Sequence, residues 1–184
     1  GIDPASVSLA VVVQLMVDAD SAGVMFTANP SNGRRDEAVI SAAWGLGESI
    51  VSGSVNTDNI VVRRPDGTVL SSETADKAVM TAYAERRTQE LPVPAEQRNR
   101  PALSPAEAAE LAGYGNRIED HFGAPQDIEW ARTNGRFWIL QARPITALPE
   151  VEGPVPTDWT VPEPSAMYVR ASIVEQLPDP LSPL

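Results

Sequence analysis

The sequence contains no cysteine and a single histidine, His121. The absence of cysteine excludes disulfide bonds, thiolate zinc sites and cysteine nucleophiles. His121 has no second histidine or cysteine with which to share a metal, and it falls in the last turn of a predicted helix, where a cation complements the helix dipole. We therefore expect His121 to be a capping or surface residue and not a catalytic one.

Positive charge and long apolar runs are also scarce. The formal net charge of -11 argues against a general nucleic-acid or anionic-membrane surface. No apolar run approaches the roughly 18 residues that a membrane span needs, and no signal-peptide pattern opens the sequence. The 184 residues, 42% of them hydrophobic, suffice for one compact domain with or without an arm. We expect a soluble, cytoplasmic protein without a nucleic-acid or membrane partner.

Residues 126–144 are the most informative stretch and predict a β-hairpin. Two runs of β-branched and aromatic residues flank the turn signal Thr-Asn-Gly at 133–135. A two-residue Asn-Gly loop would put Glu129 and Gln141 on opposite faces. A three-residue loop, with its glycine in the left-handed conformation, places Glu129 opposite Ile139 and on the same face as Gln141. We favour the three-residue loop.

Glu129, Gln141 and Arg143 then share one face of the hairpin. A carboxylate and an amide oxygen on neighbouring strands can reach one Mg²⁺, and a guanidinium beside them can bind a phosphate oxygen. The three side chains indicate a metal–nucleotide site, and the alternative is a solvated outer face of an edge hairpin. Side chains of the opposite face are expected in the core: Trp130, Trp138 and Leu140.

The hairpin sequences Gln-Asp-Ile-Glu-Trp (126–130) and Ile-Leu-Gln-Ala-Arg-Pro-Ile-Thr (139–146) resemble a known family. They are similar to the end of the ATP-grasp domain of the phosphoenolpyruvate synthase and pyruvate phosphate dikinase family, and most similar to its rifampicin phosphotransferase branch. The resemblance implies that Glu129 and Gln141 hold Mg²⁺ on ATP. It also implies that Arg143 contacts the phosphates and acts in catalysis.

Residues 8–17 form a near-continuous apolar run, which predicts a strand buried on both faces. Gln14 is its one polar interruption, and a buried amide must either satisfy nearby backbone or face a ligand. The residues alone leave both roles open. The pattern Val-Gln-x-Met resembles the family's hinge strand, which implies that Gln14 contacts the adenine or ribose of ATP, together with the backbone near Met16.

The middle of the chain predicts antiparallel strands and a loop. Strands are expected at 22–30 and 37–44, and a further hairpin at 59–64 and 68–73. The loop Gly45–Glu48 reads by itself as an ordinary connection in which Glu48 could cap a helix. It resembles the Gly-Leu-Gly-Glu loop of the family, which implies a part in the ATP site.

The third quarter of the chain predicts one well-defined helix. Ser104, Pro105 and Glu107 form a complete capping signature, and an apolar stripe running to Phe122 precedes the glycine at 123, where the helix is expected to end. The remaining polar side chains of this helix are expected to be solvated: Glu110, Arg117, Glu119 and Asp120. Upstream, Lys77 is expected to be a solvated lysine, and residues 84–101 a poorly packed loop.

After Thr146 the composition changes, because residues 149–184 contain eight of the seventeen prolines. We expect domain boundaries of 1–148 for the second half of an ATP-grasp domain and 149–184 for a linker and the start of a following domain. The family resemblance implies an α+β fold, mainly an antiparallel sheet with packed helices.

The same resemblance implies the activity of a larger enzyme. Such an enzyme splits ATP into AMP and phosphate and passes a phosphoryl group through a phosphohistidine to a rifampicin-like antibiotic or to pyruvate. Its first ATP-grasp half and its phosphohistidine domain would be the partners of this chain, which alone is expected to be inactive. The alternative is a non-catalytic ATP-grasp remnant that acts as a binding module.

Overall fold

A computed structural model describes residues 11–51, 55–84 and 87–149 of the chain. The sequence pattern in these residues folds into strands joined mostly by short turns, with one long helix. The strands are β1 (Ser21–Phe26), β2 (Glu37–Trp44), β3 (Asp58–Arg63), β4 (Thr68–Glu73), β5 (Val79–Ala84), β6 (Arg87–Pro92), β7 (Gln126–Thr133) and β8 (Arg136–Pro144). The helices are α1 (Glu48–Val51), α2 (Ala95–Arg98) and α3 (Pro105–Phe122).

Six strands form one antiparallel sheet in the order β4-β3-β2-β1-β7-β8. Short turns join β3 to β4 and β7 to β8, as antiparallel neighbours allow, whereas the longer segment 27–36 joins β1 to β2. After α3, β7 returns beside β1. A separate two-stranded sheet consists of β5 and β6. This arrangement confirms the expected α+β fold with a mainly antiparallel sheet. Among the described residues, no helix is long and apolar enough to span a membrane.

The hydrophobic core lies between α3 and one face of the large sheet. Alternate residues of the central strands point toward the helix because successive side chains of a strand face opposite sides. The predicted capping box is confirmed: Ser104 accepts the backbone N–H of Glu107, and the Glu107 carboxylate accepts that of Ser104. The main buried side chains are Met25, Ile40, Ile60, Val62, Leu103, Leu111, Ile128 and Trp130.

An ion pair also links the N-terminal turn of α3 to β7. Glu107 forms an ion pair with Arg132, whose side chain is one-fifth exposed. Burial raises the pKa of Glu107, but hydrogen bonds from Ser104 and the charge of Arg132 outweigh it, and the pKa lies below its usual value. Glu107 is therefore held in its charged form, which suits the N-terminal end of a helix.

The last turn of α3 differs from the prediction. Phe122 was expected on the apolar stripe but is 57% exposed, and Glu119 was expected to be solvated but pairs with Arg64 at 2.9 Å. The buried face runs from Leu111 through Gly115, and one further turn brings Glu119 to that face. The sheet presents polar groups to this turn, so a charged residue and not an aromatic one occupies the position.

Residues 84–101 are more ordered than predicted, and Lys77 is not solvated. The described part of this segment contains β6 and α2. The Lys77 side chain is fully buried and pairs with the equally buried Asp58 at 2.5 Å. The same carboxylate accepts the backbone N–H groups of Ala75 and Ala102. Lys77 is thus an internal tie: together with Asp58 it links β3 to the segments before β5 and before α3. A local sequence pattern could not indicate this role, because it does not show that Asp58 lies next to Lys77 in the fold.

The strand predicted at 8–17 is wrong for the residues that the structure describes. Residues 11–19 contain no strand, and Val11, Val13 and Leu15 are each at least 85% exposed. Residues 8–10 lie outside the described residues, as do 150–184, on which most of the expected linker falls. An apolar run predicts burial, but a strand also needs a hydrogen-bonding partner, and the described part of the sheet provides none for residues 11–19.

Replacing Lys77 with methionine should lower the free energy of unfolding by about 3–5 kcal/mol, because Asp58 would remain buried without its counter-charge. Urea denaturation measures the loss. Arg63→Met is the matched control, since its pair with Asp66 is nearly half exposed and should contribute little. Equal losses in the two variants would contradict the assignment of Lys77 as an internal tie.

Candidate functional site

The turn of the β7–β8 hairpin is tighter than the predicted one. Thr133 pairs with Arg136, so Asn134 and Gly135 form a two-residue loop. Both loop residues have positive φ angles, 50° and 75°, which is the conformation that Asn-Gly favours in hairpins. The three-residue loop was therefore wrong, because the local preference of Asn-Gly determines the turn.

A β-bulge nevertheless brings Glu129 and Gln141 together. Trp130 pairs with Ile139, whereas Glu129 pairs with Gln141, so Leu140 is an extra residue in β8. One extra residue exchanges the two faces of a strand beyond that point. Glu129 and Gln141 consequently lie on one face, as predicted, but as direct partners.

The shorter turn also changes which aromatic residue enters the core. Trp130 is fully buried as predicted, and Phe137, not Trp138, packs against it with ring centroids 5.7 Å apart. Trp138 is 41% exposed, with the guanidinium of Arg136 stacked 4.6 Å from its ring centroid. Leu140 is half-buried at the bulge. The expectation that Trp138 lies in the core was wrong because the register differs by one residue.

Trp130 fits only because β1 has a glycine opposite it. A Cβ atom on Gly23 would lie 2.6 Å from the Trp130 ring and 1.9 Å from the Ser41 carbonyl oxygen. This close packing fixes β7 against β1 on the core side. On the other side of the same strand, Glu129 is directed away from α3, toward the face that the helix does not cover.

The open face carries two adjacent rows of polar groups. The Gln141 amide nitrogen donates to a Glu129 carboxylate oxygen at 3.2 Å, and Arg143 donates to Asp127 at 2.8 Å. These contacts confirm that the hairpin brings Glu129, Gln141 and Arg143 together. The hydrogen bond and charge of Asp127 raise the pKa of Arg143, which therefore stays cationic.

Asp127 is a site residue that the sequence reasoning missed. It lies two residues before Glu129 on the same strand, and this spacing of two was the available signal that both share a face. Its side chain is only 12% exposed, and one carboxylate oxygen, Oδ1, is buried without a hydrogen-bond partner. Asp127 thus offers a spare oxygen beside the Glu129–Gln141 pair.

Two cavities meet at Glu129. The first, of about 280 Å³, is lined by Gln14, Met16, Gly47 and Glu129 among others. It brings together the N-terminal segment, the Gly45–Glu48 loop and the hairpin, which are the three parts of the chain that the sequence linked to ATP. The expected helix after that loop is present as α1, which begins at Glu48.

The second cavity, of about 340 Å³, lies toward Arg143. Its walls include Phe26, Ser41, Asp127 and Glu129. The cavity near the N-terminal segment is mainly apolar at Leu15, Leu46 and Leu140, whereas this one contains the charged pair of the hairpin. The open face therefore provides an apolar compartment and a charged compartment on either side of one carboxylate.

The donor set fits a metal ion that arrives with a nucleotide. Within the described part of the chain, no group of three or more histidine, cysteine, aspartate or glutamate residues could hold a metal by itself. Glu129 and Gln141 provide two adjacent oxygen donors once the amide turns its oxygen inward. Mg²⁺ is commonly held by one or two protein carboxylates together with substrate phosphates and water, so these residues fit such an ion.

Comparison with known proteins places the chain among nucleotide-binding domains. The profile described as pyruvate phosphate dikinase, AMP/ATP-binding domain, matches residues 1–158. The chain is 49% identical over 148 residues to a probable phosphoenolpyruvate synthase of Methanothermobacter thermautotrophicus, covering 80% of this chain and 22% of the relative. It is 40% identical over 184 residues to a rifampicin phosphotransferase of Streptomyces sviceus, covering 100% of this chain and 20% of the relative.

A third relative gives the same proportions. The phosphoenolpyruvate synthase of Pyrococcus furiosus is 41% identical over 159 residues, which cover 82% of this chain and 20% of that protein. The chain therefore spans about one-fifth of the length of these relatives. The region that the profile matches, residues 1–158, includes the hairpin and the Gly45–Glu48 loop.

Truncating a side chain to alanine should have different effects on stability on the two faces of β7. Glu129→Ala should change the free energy of unfolding by less than about 1 kcal/mol, because the side chain lies on the open face, where it accepts a hydrogen bond from Gln141. Trp130→Ala should cost about 3–5 kcal/mol, because it empties a fully buried site. Urea denaturation of both variants tests the assignment, and a large loss for Glu129→Ala would show that this carboxylate supports the fold.

Proposed function

Because the chain belongs to the pyruvate phosphate dikinase AMP/ATP-binding domain family, we propose that the open face of its sheet binds Mg-ATP. The observation that carries this proposal is the set Glu129, Gln141 and Arg143, which lies on one face between an apolar and a charged cavity. An ATP molecule has the matching division into an apolar base and a charged triphosphate.

The base occupies the cavity beside the N-terminal segment in this proposal. Gln14 and the backbone near Met16 contact the adenine or ribose, and Leu46 and Leu140 provide apolar walls. The Gly45–Glu48 loop closes the other side. Its position is fixed by the backbone N–H of Leu46, which donates to the Thr81 carbonyl of β5 at 2.7 Å. The two-stranded sheet thereby supports the nucleotide site indirectly.

In this proposal Glu129 and Gln141 would hold Mg²⁺. When bound, the ion neutralises part of the triphosphate charge and draws electron density from the transferred phosphoryl group. The Gln141 amide rotates so that its oxygen replaces the nitrogen that now faces Glu129. Asp127, whose Oδ1 is buried without a hydrogen-bond partner, lines the same cavity as Glu129.

Arg143 contacts the phosphates and stabilises charge on the transferred group. Its side chain is 61% exposed, and its partner Asp127 holds it beside the charged cavity. A phosphate offers a guanidinium the same paired oxygen geometry as a carboxylate does. Arg143 can therefore exchange or share its partner as the nucleotide binds, which makes it the proposed catalytic residue of this chain.

The complete activity belongs to a longer protein in this proposal. Residues 1–148 form the second half of an ATP-grasp domain, and residues 149–184 lead into a following domain. The longer enzyme splits ATP into AMP and phosphate and passes a phosphoryl group through a phosphohistidine to an acceptor. The names of the relatives support two acceptor classes, pyruvate and a rifampicin-like antibiotic. This chain alone binds the nucleotide without turnover.

Isothermal titration calorimetry with ATP tests the proposal. Binding is expected in the presence of Mg²⁺ and should weaken by at least about tenfold in Glu129→Ala, since a charge-assisted interaction contributes about 1.5–3 kcal/mol. Glu110→Ala is the matched control because it removes the same charge from the exposed side of α3.

The same titration is repeated on the longer protein that contains the first half of the domain. Binding in either protein that needs both Mg²⁺ and Glu129 supports the proposal. Equal affinity in Glu129→Ala and Glu110→Ala contradicts the metal assignment. If neither protein binds ATP detectably, the result supports the alternative, an ATP-grasp remnant that acts as a binding module.

A further inference from the structure

Where β7 begins, a threonine hydroxyl takes the place of a backbone carbonyl as the acceptor of a hydrogen bond between strands. Thr27 donates its backbone N–H to the Gln126 carbonyl at 2.9 Å. In an antiparallel pair of this kind, the Gln126 N–H would normally return to the Thr27 carbonyl. Here the Gln126 N–H donates instead to the Thr27 hydroxyl oxygen at 2.8 Å. Thr27 thus binds both backbone groups of Gln126, the carbonyl through its own backbone N–H and the N–H through its side-chain hydroxyl.

The carbonyl of Thr27 is thereby free for another donor. It accepts from the Arg64 guanidinium at 2.8 Å, and the same guanidinium donates to Glu119 at 2.9 Å. Glu119 uses its second oxygen to accept the Thr27 hydroxyl. Asn116 accepts from the Arg64 Nε at 2.7 Å and completes the group on α3. Thr27, Arg64, Asn116 and Glu119 are called the Thr27 network below.

The Thr27 network is largely withdrawn from solvent. Thr27 is fully buried, and the side chains of Arg64 and Glu119 are 12% and 19% exposed. Hydrogen bonds between charged groups are stronger and more directional under such partial burial. The Thr27 hydroxyl therefore has a fixed orientation, because its proton is committed to Glu119 and its lone pair to the Gln126 N–H.

The next residue along β7 is Asp127, the partner of Arg143. On its other side Gln126 lies opposite Pro144 at a non-hydrogen-bonded position, because its N–H and its carbonyl are both directed to Thr27. Thr27 therefore supplies the hydrogen bonds of Gln126 within the sheet, and β8 supplies none at this residue. A change in the position of the Gln126 peptide would pass directly to Asp127 and to the guanidinium that Asp127 holds.

We propose that Thr27 and Glu119 are positioning residues for the Asp127–Arg143 pair and so set the phosphate end of the nucleotide site. The inference rests on the proposed function for its ligand but has a test that needs no ligand. It predicts that the two residues affect the binding of the triphosphate and leave the binding of the base unchanged, because the base cavity lies on the other side of Glu129.

The variants are Thr27→Val, which removes the hydroxyl, and Glu119→Gln, which removes the charge that orients it. Thr27→Ser keeps the hydroxyl and should therefore behave like the wild-type protein. Thr74→Val and Glu110→Gln are matched controls at exposed positions. Urea denaturation of each variant establishes the conditions under which it is folded, and all binding is measured there.

The ligand readout is the ratio of the affinities for Mg-ATP and adenosine, measured by calorimetry on the full chain and on the longer protein. Thr27→Val and Glu119→Gln should lower the Mg-ATP affinity by about threefold to tenfold, the contribution of one hydrogen bond, and leave the adenosine affinity unchanged. A merely structural role would lower stability without changing this ratio. Rescue of the ratio by Thr27→Ser would assign the effect to the hydroxyl.

The ligand-free readout is the NMR resonance of the Arg143 Nε–H, assigned by its loss in Arg143→Lys. This group donates to Asp127, so its chemical shift should move in Thr27→Val and Glu119→Gln and stay unchanged in both controls. Failure of the wild-type protein to bind Mg-ATP would refute the proposed function, and the Arg143 resonance would still decide the positioning role. A resonance and an affinity ratio that match those of the controls would overturn the inference.

Discussion

The register of β7, held between β1 and β8, determines what each face of the sheet can do. Close packing of Trp130 against Gly23 fixes β7 on the side of β1, and the bulge at Leu140 fixes it on the side of β8. Because side chains alternate along a strand, this single register sends Trp130 to the core and Glu129 to the open face. A shift of one residue would exchange the two.

The division between the faces separates stability from ligand binding. α3 covers one face and buries the apolar residues of four central strands against it. The other face carries charged and amide groups whose contacts are with one another, such as Gln141 with Glu129. These groups are adjacent to two cavities and contribute little to the core. Such an arrangement lets the site change partners when a nucleotide binds without disturbing the packing beneath it.

Local signals in the sequence predicted the six strands of the large sheet, the capped helix and the shared face of Glu129, Gln141 and Arg143. They failed where the outcome depended on distant partners. Lys77 is buried because Asp58 of β3 pairs with it, and the apolar side chains at 11–16 are exposed because the described sheet offers that segment no partner. The hairpin shows both effects: the favoured loop was wrong, and the bulge at Leu140, which no turn preference reveals, restored the predicted face. The roles of Gln14, Glu129, Gln141 and Arg143 toward ATP remain predictions.

The most direct test of the central claim is to locate the metal on the protein. Amide NMR spectra are recorded with ATP and a small proportion of Mn²⁺ in place of Mg²⁺, because a paramagnetic ion broadens only nearby resonances. If Glu129 and Gln141 hold the metal, broadening should be selective for 127–129 of β7 and 141–143 of β8, with α3 unaffected and with little broadening when ATP is omitted. Broadening centred on the exposed acidic residues of α3, or equal broadening without ATP, would contradict it.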